Sequence, residues 1–382
     1  LERHSLLSCV DLSTNGFALR LTKIMKIETA PLQKAMAIAV RFLDKKNVIP
    51  VTGMVKLDFE AECLRVTTTN LDRTFTTEIK MFCAETRTVL IDGNRFNTFI
   101  SRIDDESFDV SFDDKSMTVK RKGGKAQFLL CLESFPTTPI VPQSDPIMFN
   151  GAVLSEALSA TLCGTDDDRT TTASWQNLVQ IDIDDGFRCL ASDTKRIVVC
   201  TGDCEGQGQL QIPISAVQIL RALLDDDDVK IFQTNNHIFV ITDHTFIFRR
   251  MSAQFPNIEG FFNIAEFKDG FTVTAEQLSN ALGLVASMSD SRLRGVKWTL
   301  GEDVTFSAQA QDVGNVEESL GIKPNLEVVT GFNIDWLLAV VRQLSGDITL
   351  EFWDNGKGTV SLQIVRERLT KTSFIIGSIQ IK

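Results

Sequence analysis

Two hydrophobic patterns alternate along the chain, and each predicts a different secondary structure. The stretches Val-Lys-Leu-Asp-Phe-Glu at 55–60 and Val-Gln-Ile-Asp-Ile-Asp at 179–184 place an apolar residue at every second position. This alternation is typical of half-buried β-strands. The segment 154–162 instead carries apolar residues with i, i+3, i+4 spacing, which predicts an amphipathic helix. Both patterns recur along the whole chain, so together they predict an α+β fold.

The order of these patterns repeats with a period of about 120 residues. The segments that begin at Ile91 and at Ile212 both predict a helix, an acidic turn and three alternating strands, and both close on Phe-Pro. A third copy begins near Phe332 and predicts a helix over 335–344 followed by two strands. A repeat this long is not a solenoid unit, so each copy should have its own core.

The first halves of the three copies also correspond, since each predicts one helix followed by a pair of strands. The predicted helices cover 31–42, 154–162 and 275–288, and the predicted strand pairs are 55–60 with 64–69, 179–184 with 187–191, and 296–300 with 304–308. The pattern therefore predicts three domains, at 25–146, 147–268 and 269–382. Residues 1–24 lie outside the repeat, and Met25 is the expected natural start.

Composition narrows the chemistry that the chain can perform. Its 382 residues include three histidines and no tyrosine, so histidine-based metal sites and acid–base relays have little raw material. The eight cysteines form no CxxC pair, and we expect buried, reduced thiols in a cytoplasmic protein. No P-loop, nucleophile elbow or helix-opening GxGxxG is present. We expect no enzyme activity, no cofactor and no bound metal.

Two acidic or thiol features leave a metal site open as an alternative. The run Asp225–Asp228 could hold a divalent cation for phosphoryl hydrolysis, and Cys200 and Cys204 have a spacing that suits a metal. Neither has further ligands at fixed spacing, which favours a solvated turn and structural thiols. No apolar run reaches the roughly 18 residues of a membrane span, so no membrane is expected.

Seven short segments follow the repeat in order, and each is similar to a motif of one known family. They are Met25–Thr29 with Ile49–Val51, Thr69–Asp72, Ala191–Ile197, Gln254–Ile258, Ser289–Val296, Asn315–Glu318 and Gly331–Asn333. In the family the corresponding motifs include "TDLE", "ATDGHRL", "FPDY", "SNEKFRGVRL" and "GFN". The chain thus resembles the bacterial DNA polymerase III beta subunit, the processivity sliding clamp, as a divergent member.

This resemblance implies a fold and a set of partners. Two chains would join head to tail into a ring of six domains, whose helices line a pore around duplex DNA. The ring would read no sequence, would be placed by a clamp loader, and would tether the replicative DNA polymerase. A clamp-like interaction module that tethers no polymerase remains the alternative within the same fold.

The net charge of −11 argues against nucleic acid only if the charges are spread evenly. Acidic residues concentrate in the predicted turns, at 104–106, 166–168 and 225–228. Basic residues instead fall on or beside the helices that the resemblance places at the pore, although ordinary solvated faces would look the same. The candidate DNA-binding residues are Lys34, Arg41, Lys45, Lys46, Arg95, Arg102, Arg221, Arg292, Arg294 and Arg342.

The family binds short peptides of its clients in an apolar pocket between the second and third domains. Three departures from the family motifs suggest an altered preference here: Gly-His is replaced by Thr194-Lys195, "MPM" by Gly377-Ser378-Ile379, and the arginine shortly after "FPDY" by Gly260. The alternative is that Arg196 and Ile197 only complete a strand. The positions that match the pocket are Thr194, Lys195, Arg196, Ile197, Pro256, Ile258, Phe261, Ile376, Gly377, Ser378 and Ile379.

The resemblance also implies a dimer interface between an edge strand of the first domain and the third domain. Phe128 and Leu130 match its apolar positions on one side, and Met288 matches one on the other. Burial between subunits would explain an apolar edge strand, which is otherwise prone to aggregation. Alternation of these residues into the core of the chain is the open alternative.

Overall fold

A computed structural model describes residues 24–44, 49–165, 174–258, 267–290, 294–311, 313–354 and 360–380. Within these ranges the chain forms six α-helices and 24 β-strands, and every described pairing between strands is antiparallel. The α+β class predicted from the hydrophobic pattern is therefore confirmed.

The elements follow one order three times: a strand, a helix, four strands, a helix and three strands. The first run is β1 (Met25–Glu28), α1 (Thr29–Ala39), β2 (Met54–Glu60), β3 (Cys63–Thr69), β4 (Arg73–Lys80), β5 (Arg87–Asp92), α2 (Gly93–Ile100), β6 (Ser107–Phe112), β7 (Ser116–Arg121) and β8 (Gly124–Leu129).

The second run has the same composition. It consists of β9 (Ile147–Asn150), α3 (Gly151–Thr161), β10 (Leu178–Ile183), β11 (Phe187–Ser192), β12 (Arg196–Gly202), β13 (Gly208–Pro213), α4 (Ile214–Leu220), β14 (Asp228–Gln233), β15 (His237–Ile241) and β16 (Thr245–Arg249).

The third run completes the repeat. It consists of β17 (Lys268–Thr274), α5 (Ala275–Ala286), β18 (Gly295–Leu300), β19 (Val304–Ala310), β20 (Gly314–Ser319), β21 (Val328–Asn333), α6 (Ile334–Val341), β22 (Asp347–Asp354), β23 (Val360–Glu367) and β24 (Lys371–Gly377).

The predictions differ from the structure in the number of strands and in the ends of the helices. Each first half has four strands where a pair was predicted. The pattern predicted two strands after the last helix, whereas the structure has three, β22, β23 and β24. The helix predicted over 335–344 ends at Val341, and the one predicted over 31–42 continues past Ala39 only as a short 3-10 helix, Val40–Phe42. The domain boundaries at 146 and 268 stay predictions.

Contacts divide the chain into two compact units. Among the described residues, unit 1 comprises those up to 68 and from 78 to 135, and unit 2 comprises 69–77 and those from 136 onward. In unit 1, strands β1, β6, β7 and β8 form a sheet in that order, so β8 is an edge strand. Helices α1 and α2 pack against each other, and Phe42, Phe59, Phe96 and Phe108 are fully buried.

Unit 2 contains a sheet of eight strands that runs through the second and third repeats. Its order is β13-β10-β11-β12-β24-β23-β22-β17, so the repeats join where β12 pairs with β24. A separate sheet of four strands, β20-β19-β18-β21, leaves β20 at an edge. Trp298 is fully buried in the third repeat, with ring centroids 4.5 Å from Phe306 and 5.3 Å from Phe332.

Candidate functional sites

A tight turn at 192–196, which connects β11 to β12, is organised by one carboxylate. Oδ1 of Asp193 accepts the backbone N–H groups of Lys195 at 2.9 Å and of Arg196 at 2.7 Å. Oδ2 of Asp193 accepts both Nε and Nη2 of Arg196, at 2.8 and 2.6 Å. Thr194 at the tip has a φ of +79°, a left-handed conformation that β-branched residues adopt only under strain. The turn therefore has one fixed conformation.

Arg196 also links this turn to the third repeat. Its guanidinium donates to the backbone carbonyl of Thr165 at 2.7 Å and lies over the ring of Trp336, 5.1 Å from the ring centroid. Only 12% of the side chain is exposed. Arg196 is thus a fixed wall of the site rather than a free cation.

The end of β24 and the segment after it lie beside the turn. Arg196 lies opposite Ile376 in the β12–β24 pairing, and the backbone N–H of Gly377 donates to the carbonyl of Lys195 at 2.8 Å. A Cβ at position 377 would be 3.2 Å from that oxygen, so the backbones approach closely. The segment then continues to Ile379, whose N–H donates to the carbonyl of Gly331 at 2.7 Å.

An irregular segment at 251–258, which we call the strap, carries Pro256 and Ile258. Pro256 is half-buried and Ile258 is 4% exposed. Phe255 of the strap packs edge-on against Trp175, with centroids 5.8 Å apart. Gln176, which follows Trp175 in the sequence, donates through Nε2 to the backbone carbonyl of Asp193 at 3.3 Å. The strap is therefore connected to the turn through two neighbouring side chains.

The structure thus brings together most of the positions that the sequence assigned to a pocket. Arg196 and Ile197 lie opposite Ile376 and Ile375 in the strand pairing, and the carbonyl of Lys195 accepts the N–H of Gly377. Phe261 lies outside the described residues. Sequence reasoning missed Trp175 and Gln176, which lie in a short 3-10 helix without a periodic pattern.

Six of the candidate DNA-binding residues are exposed on or beside a helix. Lys34 lies on α1 and Arg95 on α2, while Arg221 and Arg342 occupy the C-caps of α4 and α6. The other two exposed residues are Arg41 and Arg102, and the candidates Lys45, Lys46 and Arg292 lie outside the described residues, as does the acidic segment 166–168.

Arg294 differs from these six because it is only half-exposed and three of its guanidinium nitrogens are hydrogen-bonded. Nε and Nη2 donate to the two carboxylate oxygens of Asp335 at 2.9 and 2.8 Å, and Nη1 donates to the hydroxyl of Ser289 and to the carbonyl of Ala286. Hydrogen bonds from Arg294 lower the pKa of Asp335. The residue ties the end of α5 to the start of α6, so we do not retain it among the candidates for DNA contact.

The three candidate interface residues lie at two sheet edges. Phe128 is half-buried on β8, where its ring packs edge-on against Phe96 and Phe99 of the same chain, and Leu130 follows the strand. Met288 lies beside the first residue of β20, since its Cε would be 3.1 Å from a Cβ at Gly314.

The acidic run at 225–228 supports a helix rather than presenting a cluster of ligands. All four residues are exposed, and the backbone carbonyls of Asp226 and Asp227 accept the side chain of Asn150 and the N–H of Gly151 at the start of α3. In the described part of the chain, no group of three or more His, Cys, Asp or Glu could hold a metal ion.

The two cysteines with metal-compatible spacing lie in different environments. Cys200 is fully buried, accepts a hydrogen bond from the hydroxyl of Thr372, and has its pKa raised by burial. Burial, with a contribution from Asp203, raises the pKa of Cys204 to about 11. Both thiols are therefore protonated at neutral pH.

Among the described residues, no helix has the length and apolar character of a membrane-spanning segment.

The threefold order of elements and the joining of repeats through strand edges define a DNA-clamp fold. Solved structures share it: the DNA polymerase III subunit beta of Pseudomonas aeruginosa superimposes with a TM-score of 0.85 at 18% identity, over 94% of this chain and 100% of that one. A sliding clamp of Bartonella birtlesii, bound to griselimycin, gives a TM-score of 0.86 at 19% identity, over 94% of this chain and 99% of that one.

Sequence comparisons agree with the fold. Residues 23–139 match the family of the DNA polymerase III beta subunit, N-terminal domain. Among characterised relatives, the beta sliding clamp of Synechocystis is 22% identical over 84% of this chain and 90% of that protein, and the one of Rickettsia bellii is 21% identical over 93% and 99%. The chain is thus similar to the bacterial beta clamps over most of its length, as the seven motifs indicated.

Proposed function

We propose that this chain is a DNA polymerase processivity factor, a sliding clamp without catalytic activity. Two copies would close around duplex DNA in the cytoplasm, where a clamp loader would place them and the replicative polymerase would be tethered to them. Support comes from the clamp fold, the family match at 23–139 and relatives named as beta sliding clamps. The main structural support for a ring is the strand pairing that joins one repeat to the next.

The same rule of pairing applies at two junctions between repeats. Strand β4 pairs with β16, with Arg73 opposite Phe248, and strand β12 pairs with β24, with Arg196 opposite Ile376. In both, the third of four strands in one repeat pairs with the last strand of the next repeat. The third repeat has such a strand, β20, at a free edge, and the first repeat has its last strand, β8, at a free edge. By the same rule, β20 pairs with β8 of a second copy.

The register of the two junctions transfers to this proposed one. Arg73, the first residue of β4, lies opposite Phe248, the residue before the last of β16. The equivalent positions are Gly314, the first residue of β20, and Phe128, the residue before the last of β8, so these two would lie opposite each other. Phe248 and Ile376 are 2% and 1% exposed, whereas Phe128 is only half-buried. A neighbouring β20 would complete the burial of Phe128, beside Met288 of the second copy.

Charge at the two edges is complementary in this register. Thr76 lies opposite Thr245 at the first junction, and the same step places Glu317 opposite Lys125. The hairpin that ends in β8 is basic, with Arg121 and Lys122 at its turn, while β20 also carries Glu318. Opposite charges directly across a strand pair are stabilising, and two such junctions close a ring of six repeats.

The proposed peptide site is the turn at 192–196 together with the strap and the segment 376–379. Two structural neighbours are clamps bound to griselimycin, which supports a ligand site on this fold. We infer that peptides of the polymerase, the loader and other clients bind here. Thr194, Lys195 and Gly377 line the proposed site and differ from the residues of the family motifs at these positions. We therefore expect this chain to prefer a different peptide sequence.

The test of the proposal is retention on DNA of different topology. Protein loaded on a nicked circle by a clamp loader should stay bound through gel filtration and should be lost once the circle is linearised. Light scattering should first give about twice the 42.5 kDa of one chain. Equal retention on both DNA forms, or a monomer at micromolar concentration, would contradict the ring.

A clamp-like interaction module without polymerase tethering is the second candidate, favoured by the altered site. It predicts binding of peptides without any increase in polymerase processivity on primed circular DNA.

A further inference from the structure

A two-point hydrogen bond holds the strap to the sheet. Gln211 lies on β13 and is 6% exposed. Its Oε1 accepts the backbone N–H of Ala253 at 2.9 Å, and its Nε2 donates to the backbone carbonyl of Ala253 at 2.7 Å. One side chain thus gives the strap the pair of hydrogen bonds that a neighbouring strand would give.

Two further side chains fix the orientation of the Gln211 amide. Gln180 on β10 lies directly opposite Gln211 and is 9% exposed, and its Oε1 accepts from Nε2 of Gln211 at 3.2 Å. Nε2 of Gln180 donates to the carboxylate of Asp182 at 3.1 and 3.2 Å. An ionised carboxylate only accepts hydrogen bonds, so Asp182 sets the direction of Gln180, which in turn sets that of Gln211.

The position of the strap matters because the strap has no regular secondary structure of its own. Ala253 is two residues before Phe255, which packs on Trp175, and five residues before the buried Ile258. Gln176, next to Trp175, contacts the carbonyl of Asp193 in the turn. A displacement at Ala253 would therefore reach both walls of the proposed peptide site.

We propose that Gln211, oriented by Gln180 and Asp182, is a positioning residue that holds the strap in its binding-competent conformation. Its amide contacts the strap and Gln180, and it acts on a bound peptide only through the strap. Leaving a buried backbone N–H or carbonyl without a hydrogen-bond partner costs free energy. The chain of hydrogen bonds from Asp182 through Gln180 and Gln211 to Ala253, which we call the relay, is therefore favourable only when every member is paired. This inference rests on the proposed peptide site.

Gln211→Leu keeps the volume of the side chain but removes both hydrogen bonds to Ala253. We expect the affinity for griselimycin, measured by calorimetry on the full-length dimer, to fall about tenfold, because two hydrogen bonds that order the strap are lost. Hydrogen–deuterium exchange of a peptide spanning 251–258 should accelerate. Gln209→Leu is the matched control, since Gln209 also donates to Asp182, at 2.7 Å, but lies outside the relay to the strap.

The double variant with Gln180→Leu distinguishes a relay from two independent contacts. Once Gln211 is replaced, the loss of Gln180 should add little, so the two effects on affinity should not add. Equal affinity of wild type and Gln211→Leu, or unchanged exchange of the strap, would overturn the inference. If wild-type protein fails to bind griselimycin while the strap exchange still accelerates in Gln211→Leu, the proposed peptide site is wrong, and with it the role of Gln211 in binding.

Discussion

At the scale of single residues, the most informative side chains are those whose conformation the sequence pattern does not explain. Thr194 is exposed and β-branched, yet its φ is +79°. The family motif that it resembles has glycine at this position, and glycine adopts this conformation without a steric cost. The surrounding Asp193 hydrogen bonds hold the threonine in place, so the turn stores strain beside the proposed peptide site.

Thr194→Gly should therefore stabilise the protein by about 1 kcal/mol, because relief of the left-handed strain exceeds the larger entropy of the unfolded glycine chain. Urea denaturation followed by circular dichroism measures the difference. Lys195→Gly, at the neighbouring exposed position whose φ is not positive, should destabilise instead. A destabilised Thr194→Gly would show that the turn is not strained.

At the scale of elements, an ion pair connects the two helices of the third repeat. Arg294 bridges the end of α5 and the start of α6 through Asp335 and the carbonyl of Ala286. Asp335 also lies in the first turn of α6, where a negative charge interacts favourably with the helix dipole. The pair is half-exposed, so its contribution is reduced by solvent screening.

The lowered pKa of Asp335 gives this contribution a pH dependence. A depressed folded-state pKa stabilises the fold above the ordinary aspartate pKa of about 3.9 and loses that effect as pH falls through the folded-state value. Asp335→Asn should lower the free energy of unfolding by about 0.5–1 kcal/mol at pH 7, and the difference should vanish at strongly acidic pH. Asp228→Asn, at the exposed start of β14, is the control for the loss of a surface charge.

The strand edges β8 and β20 lead to a prediction about the dimer. Phe128→Asp should split the dimer, but Phe128 also packs on Phe96 and Phe99, so its replacement would disturb unit 1 as well. Charge reversal avoids this ambiguity. Lys125→Glu or Glu317→Lys alone should weaken dimerisation about 3–10-fold at low salt, because like charges then oppose each other at both junctions.

Mixing the two reversed variants should restore the dimer, since each junction of the mixed ring again pairs opposite charges. Analytical ultracentrifugation measures the three dissociation constants, and Lys230→Glu on the exposed side of β14 serves as the control. Dimers of unchanged affinity in both single variants, or no recovery on mixing, would exclude the proposed register.

At the scale of the whole molecule, the distribution of charge matters more than its sum. A net charge of −11 per chain would repel DNA if it were uniform, but the exposed basic residues Arg95, Arg221 and Arg342 lie on or beside helices, whereas the acidic run 225–228 lies at the loop that leads into β14. Such a chain should hold DNA by enclosure rather than by affinity.

Direct binding to a short linear duplex should therefore be weak and should fall steeply with salt, by an order of magnitude or more between about 50 and 200 mM. Retention of the loaded ring on circular DNA should change little over the same range. Fluorescence anisotropy and gel filtration measure the two quantities. A parallel loss of both with salt would mean that the protein is held on DNA by charge alone.

The hydrophobic periods by themselves predicted the α+β class, the three copies and a helix with a pair of strands in each first half, because helix and strand periodicity is a local property of the chain. They did not predict the other strands of each first half, such as β4 and β5. The resemblance to family motifs, rather than the hydrophobic period, pointed to the turn at 192–196 and to Phe128 on β8, and the basic residues were assigned from the predicted helices. The ends of the elements were predicted less accurately. Helix α6 ends earlier than predicted and β24 was not predicted, because helix ends depend on capping contacts and strands depend on their partner strands.

Only the tertiary structure decided which side chains act together. Arg294 is a structural link rather than a free cation because Asp335, 41 residues away, occupies its guanidinium. Gln211 reaches Ala253 at a separation of 42 residues, and Gln176 reaches Asp193 from a segment without any pattern. No local periodicity records contacts between residues so far apart in sequence, because they form only when the strands and helices pack.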